Sequence, residues 1–299
     1  MKESMAPLPT ATVGDYWTLL KPRVMALVVF TGWCGMVIAP GTLHPVLQIT
    51  ALLSLAMAAG GSGCLNMWME RHRDSLMIRT QNRPLPLGII EPDSAFSLGL
   101  LLCLASWIMM GLALNLTAVS LLITTTVFYL VIYTLILKPR TVQNIVIGGI
   151  SGALPPVIGW ASVTGTINIQ SLSLFLIIFL WTPAHFWSLC LVSGQDYANA
   201  GLPMLPHVKG EQETKKKIVG YTILTVLATY GPYILKMVSF GYIIMTTFLG
   251  FLFLKNAWAV YQGHKTPLKL FGYSILYLFF LFMNLMLFAF NGPFGEYNP

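Results

Sequence analysis

Charge is what this chain has least of. Asp, Glu, Lys and Arg make up 9% of its 299 residues, against about 25% in soluble domains. With 56% hydrophobic residues, that scarcity excludes a soluble globular protein. Polar sequence is also short: the longest polar stretches, residues 70–93 and 193–217, are loop-sized, so no separate soluble domain is expected. The N-terminal stretch MKESMAPLPTATVGDYW has no apolar core behind its Lys, and no cleaved signal peptide is expected. It is not Arg-rich either, which argues against a mitochondrial transit peptide. Strict apolar/polar alternation is missing, which excludes a membrane β-barrel. Cysteine is limited to Cys34, Cys64, Cys103 and Cys190, none at metal spacing; small core residues are the better reading.

What is present is apolar sequence in long runs. Runs near 24–40, 45–69, 94–114, 117–137, 143–163, 171–192, 218–235, 239–260 and 270–291 read as nine membrane spans. A span needs roughly 20 apolar residues, and in lipid its backbone must satisfy itself, so these are helices. The predicted fold class is an all-α membrane protein, a nine-helix bundle.

With the N-terminus placed in the cytoplasm, sixteen of the seventeen Lys and Arg residues fall on the cytoplasmic side; only Lys236 lies outside. That bias is far stronger than orientation requires. It also accounts for the net charge of +7, so nucleic acid is not an expected partner. A bacterial inner membrane is the simplest home, with charged loops cytoplasmic and the C-terminus periplasmic. The acids are more telling, because orientation does not drive them. Glu70, Asp74, Asp196, Glu211 and Glu213 share the basic side. Bases and carboxylates at one mouth of an apolar bundle suggest a polar working face that holds an anion through a metal.

The chain reads as one domain, 1–299. The segments after the second and sixth spans are alike: a charged cluster, then a Pro-containing exit, Arg83-Pro84-Leu85-Pro86 and Gly201-Leu202-Pro203-Met204-Leu205-Pro206. This hints at an internal repeat of about four helices, 24–137 and 143–260. Gly60-Gly61-Ser62-Gly63 and Gly148 to Gly152 lie inside spans, where small residues let helices approach or leave room for a bulky ligand.

Four clusters carry chemistry. In the first, Asn66, Glu70 and Asp74 repeat every four residues and keep one helical face. Hard oxygen donors on one stripe suit Mg²⁺, which takes a few carboxylates and shares its ligand's phosphate oxygens. Arg79 and Arg83 follow, and guanidinium groups recognise phosphate. The plain alternative is a solvated loop in which Arg71 and Arg73 neutralise the acids. The second cluster is Gln195-Asp196-Tyr197, where Asp196 is either a further metal ligand or a helix-end acid in water. The third is Lys138-Pro139-Arg140-Thr141 with Gln143 and Asn144, either a stop signal or cations for a diphosphate. The fourth runs from Trp181 to Trp187 and holds Pro183 and His185. An intramembrane ionisable group is a functional candidate by default; a neutral His hydrogen-bonded between helices competes with it. A flat aromatic acceptor or a haem iron would account for both the aromatics and the imidazole.

Leu20-Lys21-Pro22-Arg23-Val24, Asn66 to Pro86, Tyr133 to Pro156, Trp181 to Trp187 and Asp196 to Pro206 form five ordered motifs. Together they resemble the intramembrane prenyltransferases of the UbiA superfamily, and within it the protohaem IX farnesyltransferase branch. The last three are specific to that branch, and the resemblance covers nearly the whole chain. Glu70 stands where many members have Asp, and the second site shows one obvious acid, Asp196.

The resemblance implies a helical bundle with a central apolar chamber under a polar cap, and farnesyl diphosphate and haem B as substrates. It implies Asn66, Glu70, Asp74 and Asp196 as catalytic residues, with Mg²⁺ held by Glu70, Asp74 and Asp196. Arg79, Arg83, Lys138, Arg140 and Asn144 are then diphosphate-binding candidates, and His185, Trp181 and Trp187 haem-contact candidates. Haem A synthase or a terminal-oxidase assembly would receive the product. Two rivals are a related enzyme acting on a quinone precursor and a multi-pass transporter. A transporter would need acids in mid-span and polar residues on both faces, and this chain has neither.

Overall fold

The computed structural model describes residues 10–289. Its elements are helical. A short helix α1 (Val13–Leu19) is capped by Thr12 and Asp15 and bends by 55° into α2 (Pro22–Ile38). Then follow α3 (Pro45–Asp74), α4 (Pro92–Ala113) and α5 (Leu116–Val127). α5 continues as a wider π-helix over Phe128–Leu137. α6 (Asn144–Ala153) and α7 (Pro155–Thr164) make one span together, and α8 (Ile169–Cys190) is another. α9 (Gly194–Asn199) and α10 (Leu205–Lys209) are short. α11 (Glu211–Ala228), α12 (Gly231–Ile234), α13 (Gly241–Tyr261) and α14 (Pro267–Phe288) complete the chain.

Local signals set these ends. Pro occupies the first turn of α2, α3, α4, α7 and α14, where its missing N–H and fixed φ cost nothing. Asn115 and Asn168 cap α5 and α8 through their side chains.

Seven of the nine expected spans coincide with helices long and apolar enough to cross a membrane, and the bent pair α1–α2 makes an eighth. The ninth, 218–235, falls on α11 and α12. α11 starts earlier than expected, at Glu211, so Glu211, Glu213 and Lys215 to Lys217 occupy its first turns. It then breaks before α12. Charge and break together keep it outside the count, so nine is not reached among the described residues. Lys2, the last two residues of the 270–291 run and the C-terminus lie outside the described residues.

Two helix pairs are drawn close by glycine. α3 and α4 pack along their lengths, with Gly61 facing the Gly99 carbonyl: a Cβ on Gly61 would lie 2.8 Å from that oxygen. α2 and α7 meet through Gly35 and Gly159 on facing backbones. The four cysteines are free and buried, as expected of core residues.

Loops collect at two ends. At one, Lys21 of the α1–α2 joint and Lys138 at the end of the π-helix reach the last turns of α3, and Asp196 of α9 reaches the loop after α3. At the other, Pro40, Asn168 and Lys236 line a common recess.

Candidate active site

The site is built on the last turns of α3. Asn66, Glu70 and Asp74 are 3%, 5% and 2% exposed. Two carboxylates buried near a helix C-terminus face the negative end of its dipole, so each needs a cation. The structure supplies one apiece, from a distance in sequence. Lys138 Nζ donates to Glu70 Oε1 at 2.5 Å and Oε2 at 2.7 Å. Arg83 Nη1 donates to Asp74 Oδ2 at 2.7 Å. The expected alternative, neutralisation by Arg71 and Arg73, is not what forms. Arg71 turns to the Trp68 carbonyl at 2.7 Å and stands over the Trp68 ring.

Lys138 arrives through the π-helix. The wider turn lets Thr134 Oγ1 donate to the Tyr129 carbonyl at 2.8 Å and still accept from Asn66 Nδ2 at 3.0 Å. Lys138 closes that helix, its N–H donating to the Tyr133 carbonyl. Such segments frequently mark functional sites. Asn66 Nδ2 also donates to Glu70 Oε2 at 3.0 Å, and Asn66 Oδ1 accepts from Lys21 Nζ at 2.5 Å. Asn66 is thus a fully engaged hub.

Lys21 is a site residue that the sequence reading passed over. It sits in the α1–α2 joint with φ +52°, a left-handed conformation uncommon for a side chain of this size. Its motif Leu20-Lys21-Pro22 was the available signal, but a cation at a membrane edge is easily absorbed into orientation. Thr134 carries no sequence signal of its own, and Tyr197 stands in the second cluster without an assigned role.

Asp196, on α9, accepts from the Ile78 and Arg79 backbone N–H groups at 3.3 and 3.2 Å. It ties α9 to the loop after α3. Arg79 Nη2 donates to the Tyr197 hydroxyl at 3.4 Å, and its guanidinium lies 5.9 Å from that ring's centre. Burial pushes the Tyr197 phenol above its ordinary range and keeps it neutral. Lys21, Arg79, Arg83 and Lys138 therefore converge with Glu70, Asp74 and Asp196.

Other predicted residues lie apart from this network. Arg140 turns back on the Leu135 and Ile136 carbonyls at 3.4 and 3.3 Å. Asn144 is fully buried; its Nδ2 donates to the Thr141 carbonyl at 2.5 Å and its Oδ1 has no hydrogen-bond partner. His185 is half-buried on α8. Its Nδ1 lies 2.7 Å from Ser274 Oγ, and its ring stacks between Trp181 (4.2 Å) and Phe271 (4.5 Å). Trp181 Nε1 donates to the Ser274 carbonyl at 3.0 Å. Trp187 is core, edge-on to Tyr221.

Beneath the polar cap lies a cavity of about 150 Å³, largely apolar, between α2, α3, α5 and α6–α7. Val24, Val28, Leu55, Ala58 and Leu122 line it. Lys21 and Tyr129 line it as well, so Lys21 borders both the cavity and the acid cluster.

Among the described residues, no three His, Cys, Asp or Glu side chains are placed to cage a metal by themselves. The donor set does fit Mg²⁺ of the shared kind: one or two carboxylates, the remaining positions from phosphate oxygens.

The sequence profile of the UbiA prenyltransferase family matches residues 27–286. Protoheme IX farnesyltransferase of Rhizobium johnstonii is 49% identical over 286 residues, covering 94% of this chain and 90% of that protein. The protein of that name from Methylobacterium nodulans is 47% identical over 290 residues, covering 95% and 92%. Among solved structures, a digeranylgeranylglyceryl phosphate synthase superposes with TM-score 0.74 at 17% identity, covering 91% and 96%. A UbiA homologue from Archaeoglobus fulgidus bound to DMAPP and Mg²⁺ superposes with TM-score 0.60, also at 17%, covering 91% and 99%. These two likenesses fix the fold. The apolar helices make the chain a multi-pass integral membrane protein.

Proposed function

The chain belongs to the UbiA prenyltransferase family, and we propose that it transfers the farnesyl group of farnesyl diphosphate to a vinyl group of haem B. The observation that carries this reading is Lys21, which borders the apolar cavity on one side and the acid-and-base cluster on the other. A molecule with a long apolar tail and a multiply charged head spans that border. The near full-length identity to protoheme IX farnesyltransferases supports the acceptor.

The reaction begins when the farnesyl C1–O bond breaks and its electron pair leaves with the diphosphate. Lys21, Arg79, Arg83 and Lys138 stabilise the charge that develops there. Glu70, Asp74 and Asp196 would hold Mg²⁺, which when bound would supply charge neutralisation for the leaving diphosphate. Asp196 holds the Arg79 backbone in place. The vinyl carbon attacks the allylic cation, and the apolar cavity excludes water until that bond has formed. Water then adds at the neighbouring carbon and loses a proton, which leaves a hydroxyethylfarnesyl group. No Ser or Cys nucleophile is required. Extracted haem should gain the mass of a farnesyl group plus a hydroxyl group in cells carrying this chain. A prenylated aromatic acid with haem B unchanged would favour a quinone-precursor acceptor instead.

His185 is our candidate acceptor contact, with Trp181 beside it, since Ser274 engages Nδ1 and leaves Nε2 for an incoming group. His185→Ala should weaken haem binding more than farnesyl diphosphate binding and move the Soret band. An unmoved Soret band with a loss of about 1–2 kcal/mol of stability would make it an interhelical hydrogen bond only. Arg140 and Asn144 remain proposed diphosphate contacts and Trp187 a proposed haem contact, although Asn144 and Trp187 are buried and Arg140 bonds its own helix.

We place the protein in a bacterial inner membrane, with N-terminus and site loops cytoplasmic and C-terminus periplasmic. Haem A synthase or a terminal-oxidase assembly would take up the product. Lys216 and Lys236 are both exposed and belong to opposite ends of the bundle. A cysteine replacing Lys236 should react with an impermeant thiol reagent added outside, and one replacing Lys216 should not. The reverse pattern would invert the orientation. We also propose one catalytic unit over 1–299 with a four-helix repeat, 24–137 and 143–260. The matching positions of Asp74 and Asp196 support it, and backbone superposition of the two halves tests it.

A further inference from the structure

The cation–acid pairs that organise this site carry an inference about how it loads. It rests on the reading of the site as a metal–diphosphate site. Both carboxylates of α3 are occupied from within: Glu70 by both-oxygen contact with Lys138, and Asp74 by Arg83. The third cation of this cap, Lys21, has no acid of its own and rests on the Asn66 amide oxygen. A neutral amide gives a cation far less than a carboxylate does.

The charges do not balance. Four basic side chains, Lys21, Arg79, Arg83 and Lys138, meet three carboxylates, Glu70, Asp74 and Asp196, which leaves at most one positive charge in excess. A lone divalent cation would raise that excess further, in a partly desolvated site where like charges repel strongly. A lone prenyl diphosphate, carrying about −3 near neutral pH, would overshoot to the negative side. The two together bring the cluster close to neutrality.

We propose that Lys138 and Arg83 are internal counter-ions that close Glu70 and Asp74 to free divalent metal, and that the arriving diphosphate draws them away. Each cation trades a carboxylate partner for phosphate oxygens, and the released carboxylate oxygens become metal donors. Metal and diphosphate therefore bind as a coupled pair, and the site avoids holding a bare metal ion at the membrane surface. Lys21 needs no exchange, since its partner is the Asn66 amide oxygen and not a carboxylate. It is the first cation ready for the head group.

The test measures metal binding rather than turnover. Mn²⁺ stands in for Mg²⁺ and is followed by electron paramagnetic resonance on the full chain in detergent, alone and with farnesyl thiolodiphosphate, an analogue with a poor leaving group. Wild-type protein should bind Mn²⁺ at least tenfold more tightly when the analogue is present. Arg83→Gln, at the pair nearer solvent (Arg83 23% exposed), should bind bare Mn²⁺ at least tenfold more tightly than wild type and lose most of the coupling. Lys138→Met should do the same at Glu70. Arg83→Gln alone suffices should the more buried change fail to fold. Equal bare Mn²⁺ affinity in wild type and Arg83→Gln, with Mn²⁺ still bound beside the analogue, would overturn the counter-ion role and leave the metal–diphosphate reading intact. No Mn²⁺ bound by any form, even with the analogue, would overturn both.

Discussion

Asp74→Ala should lower kcat by about a thousandfold or more, in line with the loss of one organised charge at a leaving group, while the protein still purifies as a folded membrane enzyme. Asp74 is 2% exposed and holds Arg83 at 2.7 Å. Removing it subtracts one candidate metal donor and frees Arg83 from the position in which it waits. Breaking a fully buried ion pair costs about 3–5 kcal/mol. Here the cost should fall below that range, because Arg83 is 23% exposed and water can take over its charge. Asp74→Asn separates the two effects: it keeps the shape and a hydrogen bond to Arg83 but removes the negative charge. Turnover should fall nearly as far as in Asp74→Ala, with a smaller change in melting temperature. EDTA should mimic both variants in wild-type protein, and added Mg²⁺ should restore only the wild type. A variant that keeps more than a tenth of wild-type kcat, or full wild-type activity in EDTA, would remove Asp74 and its metal from the reaction.

Why Asp74 could be picked from sequence, and Lys21 could not, is a matter of distance along the chain. The stripe Asn66, Glu70 and Asp74 lies within one helix, and helical spacing places its members without knowledge of any other element. The pairing of Glu70 with Lys138 bridges 68 positions and depends on the π-helix over Phe128–Leu137. No spacing rule announces that helix, since its residues are as apolar as any span. Two bases in one motif therefore looked equivalent. Lys138 closes the π-helix and points into the site; Arg140, two positions on, caps carbonyls of the same helix.

Orientation bias concealed other features. Placing nearly every base at one membrane face is sufficient reason for Lys21, so its contact with Asn66 had no separate signal. The same bias put Lys215 to Lys217 in a loop, whereas they form the first turns of α11, which moved the start of that helix. The run at Trp181–Trp187 points to His185 but not to its partner: Ser274 on α14 is 89 positions away.

Gly159→Val should be the most damaging single change outside the polar site. A Cβ on Gly159 would stand 1.9 Å from the Gly32 carbonyl oxygen, and one on Gly35 would stand 2.0 Å from the Pro156 carbonyl oxygen. Both obstacles are backbone, so no side-chain rotation relieves them and α2 must move off α7. Overpacking costs about 1–3 kcal/mol and occasionally more; a backbone-on-backbone clash belongs at the upper end. At about 2–4 °C per kcal/mol for chains of 150–250 residues, the melting temperature in detergent should fall by roughly 5–10 °C. Activity should fall as well, because α2 carries Val24, Met25 and Val28 on the cavity wall and begins beside Lys21. Gly152→Ala is the matched control. Gly152 also lies on a helix and lines the cavity, yet a Cβ there meets nothing within 4 Å. It should leave the melting temperature unchanged or raise it slightly, since Ala is favoured over Gly inside a helix by about 0.5–1 kcal/mol. Equal melting of Gly159→Val and Gly152→Ala would mean that α2 and α7 do not approach at Gly159. The cavity wall and the Lys21 joint would then have to be held by other contacts of α2, those with α3 and α14.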